Sequence, residues 1–139
     1  MLKIRSEALE KMIRHCEREK EGSGNEACGY LVGRGGIVTE AKEVPNAHRS
    51  PTSYQMEPVA QIALQRELRG LNLEEMGIYH SHVATQAYPS RRDIENATAV
   101  QDFFDGHYLV VSLQEPGRPV VKAFKIRDGH VSEEEVEEE

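Results

Sequence analysis

Met76-Gly77-Ile78-Tyr79-His80-Ser81-His82, seven further residues from Val83 to Pro89, and then Ser90-Arg91-Arg92-Asp93-Ile94 form the stretch on which the reading of this chain turns. Apolar Met76, Ile78 and Tyr79 lead into the histidine pair, the pattern of a buried strand, about 75–82, that emerges at a sheet edge. In an extended segment, residues two apart project to one face and lie about 7 Å apart. His80 and His82 therefore aim their imidazoles the same way. Pro89 and Ser90 mark a helix start, with Ser90 as N-cap and Asp93 three positions on. Ile94, Ala97 and Phe104 give that helix one buried face and carry it to about Phe104. A strand, a loop and a helix start thus bring two imidazoles and a carboxylate toward one point. Three N/O ligands leave a fourth position for water, which is the arrangement of a catalytic zinc site. His-x-His alone is ordinary; four polar residues at fixed offsets across three elements are far more specific.

Upstream of this stretch, Leu9, Met12, Ile13 and Cys16 recur at helical spacing over residues 6–20, with Ser6 as candidate N-cap and a Gly-Ser-Gly stop. Ala27 to Gly33 reads as a buried strand. Gly35-Gly36 turns it onto a hairpin partner, Ile37 to Val44. The loop Pro45 to Pro51 precedes a short strand through Tyr54 and Met56, and then a helix that Pro58 opens and Gly70 stops, packing through Val59, Ile62, Ala63 and Leu68. Downstream, His107–Gln114 and Val120–Ile126 read as strands joined by the turn at Glu115-Pro116-Gly117-Arg118-Pro119. Arg127-Asp128-Gly129 makes another turn before a short strand at most. Helices alternating with hairpins and one crossover predict an α/β domain, a mixed, curved central sheet flanked by helices.

The pattern HxHxxxxxxxSxxD, present here as His80, His82, Ser90 and Asp93 without insertion or deletion, resembles the signature of the JAMM (MPN+) metalloproteases. Glu26, in Asn25-Glu26-Ala27-Cys28-Gly29-Tyr30-Leu31-Val32-Gly33, matches the upstream glutamate segment of that family. The resemblance runs from about residue 2 to about residue 127. One departure is Val83, where many members carry proline; it alters loop stiffness and leaves the ligand set intact. These enzymes are zinc isopeptidases of cytidine-deaminase-like fold that act on ubiquitin-like tails. The compact size is similar to that of the stand-alone prokaryotic members, which process ubiquitin-like sulfur-carrier proteins.

The resemblance implies one zinc ion per chain held by His80, His82 and Asp93, with Glu26 as general base and Ser90 as oxyanion donor. Asn46, His48 and Arg49, in the loop after the hairpin, are the candidate substrate contacts. The implied substrate is a ubiquitin-like sulfur carrier or its conjugates, cleaved after the C-terminal tail by a zinc-activated water. A peptidase that releases cysteine or a short extension from the carrier is the close alternative. A non-catalytic MPN-type binding scaffold is the alternative of another class, and scaffolds usually lack part of the ligand set.

The composition fits this picture. At 139 residues the chain makes one domain with its own core. The two cysteines, Cys16 and Cys28, are too few for a disulfide framework. Cys16 belongs to the buried side of the first helix; Cys28 is either a small core residue or a redox-sensitive or auxiliary group beside the metal. His15 and His130 are expected at the surface and His107 at a strand start. Of the formal charge of −7, six negative charges come from Glu133, Glu134, Glu135, Glu137, Glu138 and Glu139. The domain is therefore expected over 1–131, with 132–139 as an acidic, disordered tail. No clustered Lys/Arg surface marks a nucleic-acid binder, no apolar run spans a membrane, and the first residues lack a secretory signal, so the expected place is the cytoplasm.

Overall fold

Gly35 and Gly36 both hold positive φ, 62° and 80°, the paired left-handed geometry that joins two right-twisted strands. Asp128 and Gly129 repeat it at 52° and 79°. Between and around these turns, the computed structural model describes residues 1–139 as β1 (Leu2–Ile4), α1 (Ser6–Gly22), β2 (Cys28–Arg34), β3 (Ile37–Val44), α2 (Pro58–Gly70), β4 (Glu74–His82), α3 (Arg91–Ala99), β5 (His107–Ser112), β6 (Val120–Arg127), β7 (His130–Glu134) and β8 (Val136–Glu138). The strands form one sheet in the order β7-β6-β5-β4-β2-β3-β1-β8. It is mixed: β4 pairs in parallel with β5, and β1 with both β3 and β8, while the other pairs are antiparallel. Parallel β4 and β5 require a crossover, and α3 lies within it.

Strand alternation sorts the core between the two faces of the sheet. On one face, Ala8, Met12 and Cys16 of α1 pack with Leu31, Tyr79, Leu109 and Val111. On the other, Leu68 of α2 and the partly buried Ala60 and Leu64 cover Cys28, Tyr30 and Val32, and Ala97 and Ile94 of α3 cover Tyr108, Val110 and Phe124. Gly29 lies where β2 passes Tyr79. A Cβ there would sit 2.3 Å from the Lys42 carbonyl oxygen and 2.6 Å from the Tyr79 ring. Gly29→Ala is expected to lower stability by about 2–3 kcal/mol through overpacking, read as a fall in the urea midpoint. An unchanged midpoint would mean that the sheet yields there at no cost.

Five expectations are corrected. Residues 132–139 are not a disordered tail: β7 pairs with β6, and β8 pairs with β1. The two strands are separated only by Glu135, so the C-terminal segment joins the two ends of the curled sheet, and the Leu2 N–H donates to the Glu135 carbonyl at 2.9 Å. Backbone groups on β1 and β6 need partners, and Val131 and Val136 supply apolar contacts; both outweigh the dispersed glutamate charge. His15 is buried, its Nδ1 2.7 Å from the Tyr79 hydroxyl, because it lies on the same face of α1 as Met12 and Cys16. In α2, Val59 and Ile62 face solvent at 75% and 50% exposure, because the i, i+4, i+8 stripe of Ala60, Leu64 and Leu68 meets the sheet. Finally, Ser6 is the first helical residue, with Arg5 as N-cap, and α3 ends at Ala99 so that Phe104 can turn back and pack edge-to-face on Tyr108 at 5.6 Å.

Candidate metal centre

His80 and His82 share the α2/α3 face of β4, and Ser81 between them faces the other way. That reversal ties the site together. The Ser81 hydroxyl accepts from the Ala27 N–H at 2.8 Å, and the Ser81 N–H donates to the Ala27 carbonyl at 3.1 Å. The end of β4 is thereby fixed to the segment that carries Glu26. The Glu26 N–H donates to the Ser50 carbonyl at 2.8 Å, and the Asn46 side-chain amide donates to the Glu26 carbonyl at 3.1 Å. Four hydrogen bonds, made with Ser81, Ser50 and Asn46, thus hold the backbone around one carboxylate.

Asp93 arrives from the other side at the third position of α3. Its N–H donates to the Ser90 hydroxyl at 3.1 Å, while its Oδ2 accepts from the Ser90 N–H at 2.8 Å, a capping box. The same Oδ2 lies 3.0 Å from His80 Nε2 and 3.1 Å from His82 Nε2, and the two Nε2 atoms are 3.0 Å apart. His82 Nδ1 faces the Gln86 carbonyl at 2.9 Å, so its proton belongs on Nδ1 and its Nε2 lone pair points at His80 and Asp93. Tyr54 stacks on the His80 ring at 4.5 Å and fixes its plane. All three side chains are wholly or largely shielded, with His80 and His82 at 2% and 4% exposure.

This arrangement fits a cation. Three acceptor atoms converge at about the edge length of a zinc coordination tetrahedron, roughly 3.3 Å. Two imidazole nitrogens and a carboxylate oxygen crowd one point at 3.0 and 3.1 Å, an arrangement that a single cation satisfies at once. Burial disfavours the charge on Asp93, but the two imidazoles and the Ser90 N–H outweigh it and hold the carboxyl far below its ordinary range. Burial also opposes imidazolium at His82, yet the hydrogen bond to Asp93 outweighs it and raises that ring. His80, His82 and Asp93 form a group whose ligand atoms all lie within 4.8 Å of one another.

Glu26 is buried, and its Oε1 has no hydrogen-bond partner. Burial pushes its carboxyl up to about 8; His82 opposes the shift and Asp93 adds to it. A buried, unpartnered carboxylate beside an open three-ligand centre is the constellation of a hydrolytic metalloenzyme.

The other sequence-predicted residues divide by what they touch. The Asn46 amide also donates to the Ser53 carbonyl, and its Oδ1 accepts from the N–H groups of His48 and Gln55. His48 places Nδ1 3.1 Å from the Ser53 hydroxyl and Nε2 3.1 Å from Gln55 Oε1. Both residues are thus engaged in building the loop, whereas the Arg49 guanidinium makes no such bond. Cys28 is buried opposite His80 in the β2–β4 register, with Sγ 3.4 Å from the Val44 carbonyl, and burial pushes its thiol up to about 12. That is a packed, protonated thiol. Ser81, Tyr54 and Gln86, which orient the ligands, had no sequence signal beyond the position of Ser81 between the two histidines.

A curved mixed sheet with an open His/His/Asp centre and a buried glutamate defines a metallopeptidase of the JAMM class. The chain belongs to the family described as prokaryotic homologs of the JAB domain, whose model matches residues 5–127. It is 38% identical over 138 residues to the "CysO-cysteine peptidase" of Mycobacterium tuberculosis, covering 98% of this chain and 90% of that protein. It is 36% identical over 73 residues to a "Desampylase" of Pyrococcus furiosus, about half of each chain at 52% and 52%. The solution structure of a Desulfitobacterium hafniense protein superposes with a TM-score of 0.84 at 33% identity, covering 100% of this chain and 93% of that one. No helix is long and apolar enough to cross a membrane.

Proposed function

We propose that this protein is a cytoplasmic zinc peptidase that hydrolyses the amide bond after the C-terminal tail of a ubiquitin-like sulfur-carrier protein, with one zinc ion on His80, His82 and Asp93. The observation that carries the reading is the convergence of three ligand atoms, two of them on buried histidines, near Glu26, whose Oε1 has no partner. Bound there, zinc supplies Lewis acidity: it brings the pKa of a ligated water toward neutrality and polarises the scissile carbonyl.

The remaining chemistry belongs to side chains of this chain. Glu26 accepts a proton from the attacking water and delivers it to the departing amine as the C–N bond breaks. Its raised affinity for protons suits a group that must both take and give one. The Ser90 hydroxyl accepts from Asp93 N–H and keeps its own proton to donate to the carbonyl oxygen as that atom gains charge. Tyr54 and Gln86 keep the two imidazoles in place throughout.

The names of two relatives, the "CysO-cysteine peptidase" and a "Probable TtuB-protein conjugate cleaving protease" of Thermus thermophilus, favour two substrate forms, a carrier extended by cysteine and a carrier conjugated to a protein. The deciding experiment offers the zinc-loaded enzyme both, CysO bearing a C-terminal cysteine and the same carrier linked to a lysine, beside Glu26→Ala at equal zinc content. Cleavage by the wild-type enzyme alone supports the reading. Zinc binding with no cleavage of either would leave a binding scaffold as the better account.

A further inference from the structure

We infer that Arg49 receives the free α-carboxylate of a one-residue leaving group, and so makes the site selective for a carrier extended by a single amino acid over a lysine-linked conjugate. The inference rests on the proposed function and specifies the leaving-group side of that same site. Glu26 lies at the boundary of a recess of about 540 Å³ whose rim includes Arg49, Asn25 and Ser23. A separate groove runs past Tyr54, Met56, Ile78 and Arg92, the residue that precedes Asp93. The group that protonates the departing nitrogen must reach it, so on this reading the leaving group enters the recess that Glu26 lines, and the carrier's tail lies in the groove past Tyr54.

The charges of the recess then select its occupant. Its carboxylates are Glu19, Glu26 and Glu43. Glu43 is paired with Arg18 at 2.7 Å, and Glu19 accepts from the Ser23 hydroxyl at 2.9 Å. Arg49 is the only lysine or arginine on the lining, and only its backbone N–H is engaged, donating to the Asn46 carbonyl at 3.2 Å. Its position is fixed relative to the base, because the adjacent Ser50 carbonyl accepts from the Glu26 N–H. The loop holds Arg49 at φ 45°, a conformation uncommon for a non-glycine residue and frequent where a side chain must be presented to a ligand.

A planar guanidinium is matched to a carboxylate by two parallel hydrogen bonds. In a single-residue extension, that carboxylate lies two bonds from the departing nitrogen. In a lysine conjugate, the departing nitrogen is the ε-amine and the whole side chain separates it from the backbone. Only the first places an anion beside both Glu26 and Arg49.

The test is a cycle in which one of the two changes is made in the substrate. CysO extended by one cysteine is prepared as the free acid and as the C-terminal amide, and kcat/KM is measured for zinc-loaded wild type, Arg49→Ala and Arg49→Lys. Wild type is expected to prefer the acid by roughly 10- to 100-fold, as expected for a charge-assisted hydrogen-bonded pair. The preference should fall to about one in Arg49→Ala and be partly kept in Arg49→Lys. Equal rates on acid and amide in the wild type, or an acid preference that survives Arg49→Ala, would overturn the assignment while leaving the peptidase intact. Cleavage of the lysine-linked carrier with neither cysteine form cleaved by wild type would also overturn the assignment, whereas cleavage of none of the three would remove the functional reading beneath it.

Discussion

Glu26→Gln is expected to keep zinc, to lose about 10²- to 10⁴-fold in turnover as a general base is removed, and to make the metal-free protein more stable at alkaline pH. The last effect follows from burial. The folded carboxyl titrates near 8, against an ordinary value of 4.5. Below the ordinary value, Glu26 is protonated in both folded and unfolded chains, and its burial carries no charge penalty. As pH rises from 4.5 toward 8, the unfolded chain ionises first, so stability falls across that window and stays low above it. The neutral amide of glutamine has the same shape and no charge to desolvate. The variant should therefore exceed wild type by no more than about 1 kcal/mol at pH 5 and by roughly 3 kcal/mol at pH 9, a discounted conversion of the shift. Urea unfolding of both metal-free proteins at the two pH values measures it. A constant difference at both would mean that Glu26 is better solvated than its burial implies. Zinc lost from the variant would make Glu26 a ligand and not a base. The carboxylate is thus kept at some cost in stability because function requires it.

The parts legible in the sequence were those set by short-range chemistry. Pro58 and Gly70 bound α2 as the sequence reading expects, with Glu57 as its cap, and Gly35-Gly36 places the β2–β3 turn. The ligand spacing was legible for the same reason: one strand face and one capping box fix all three candidate ligands, His80, His82 and Asp93. What was missed depends on partners far along the chain. Val59 and Ile62 are as apolar as Leu64 and Leu68, and only the position of β2 decides which stripe is covered. His15 reads as one more polar residue on α1 until Tyr79 stands opposite it. The glutamate-rich C-terminus has the composition of a solvated tail, yet β1 and β6 present unpaired backbone at both ends of the sheet, and residues 130–138 satisfy them. In the loop after β3, composition alone does not distinguish Asn46 and His48, which build the loop, from Arg49, which projects from it.

Asp93→Ala is expected to abolish stable zinc binding and, with it, activity, whereas Ser90→Ala should leave the metal in place. The two residues share one capping box, so the comparison separates the cap from the ligand. Either substitution removes part of the box and costs helix α3 about 1 kcal/mol. Only the first removes the carboxylate oxygen that faces both imidazoles at 3.0 and 3.1 Å. Loss of an outer partner that merely orients a ligand weakens a metal site by about 10- to 100-fold; removal of one of three ligands should exceed that. His80→Ala is predicted to behave like Asp93→Ala without disturbing the cap, so the two together exclude a local unfolding of α3 as the cause. Zinc content after dialysis, with a competition titration for affinity, gives the answer directly. If Asp93→Ala retained zinc at wild-type affinity, the centre would lie elsewhere, and the unpartnered Oε1 of Glu26 would be the first atom to reconsider as a ligand.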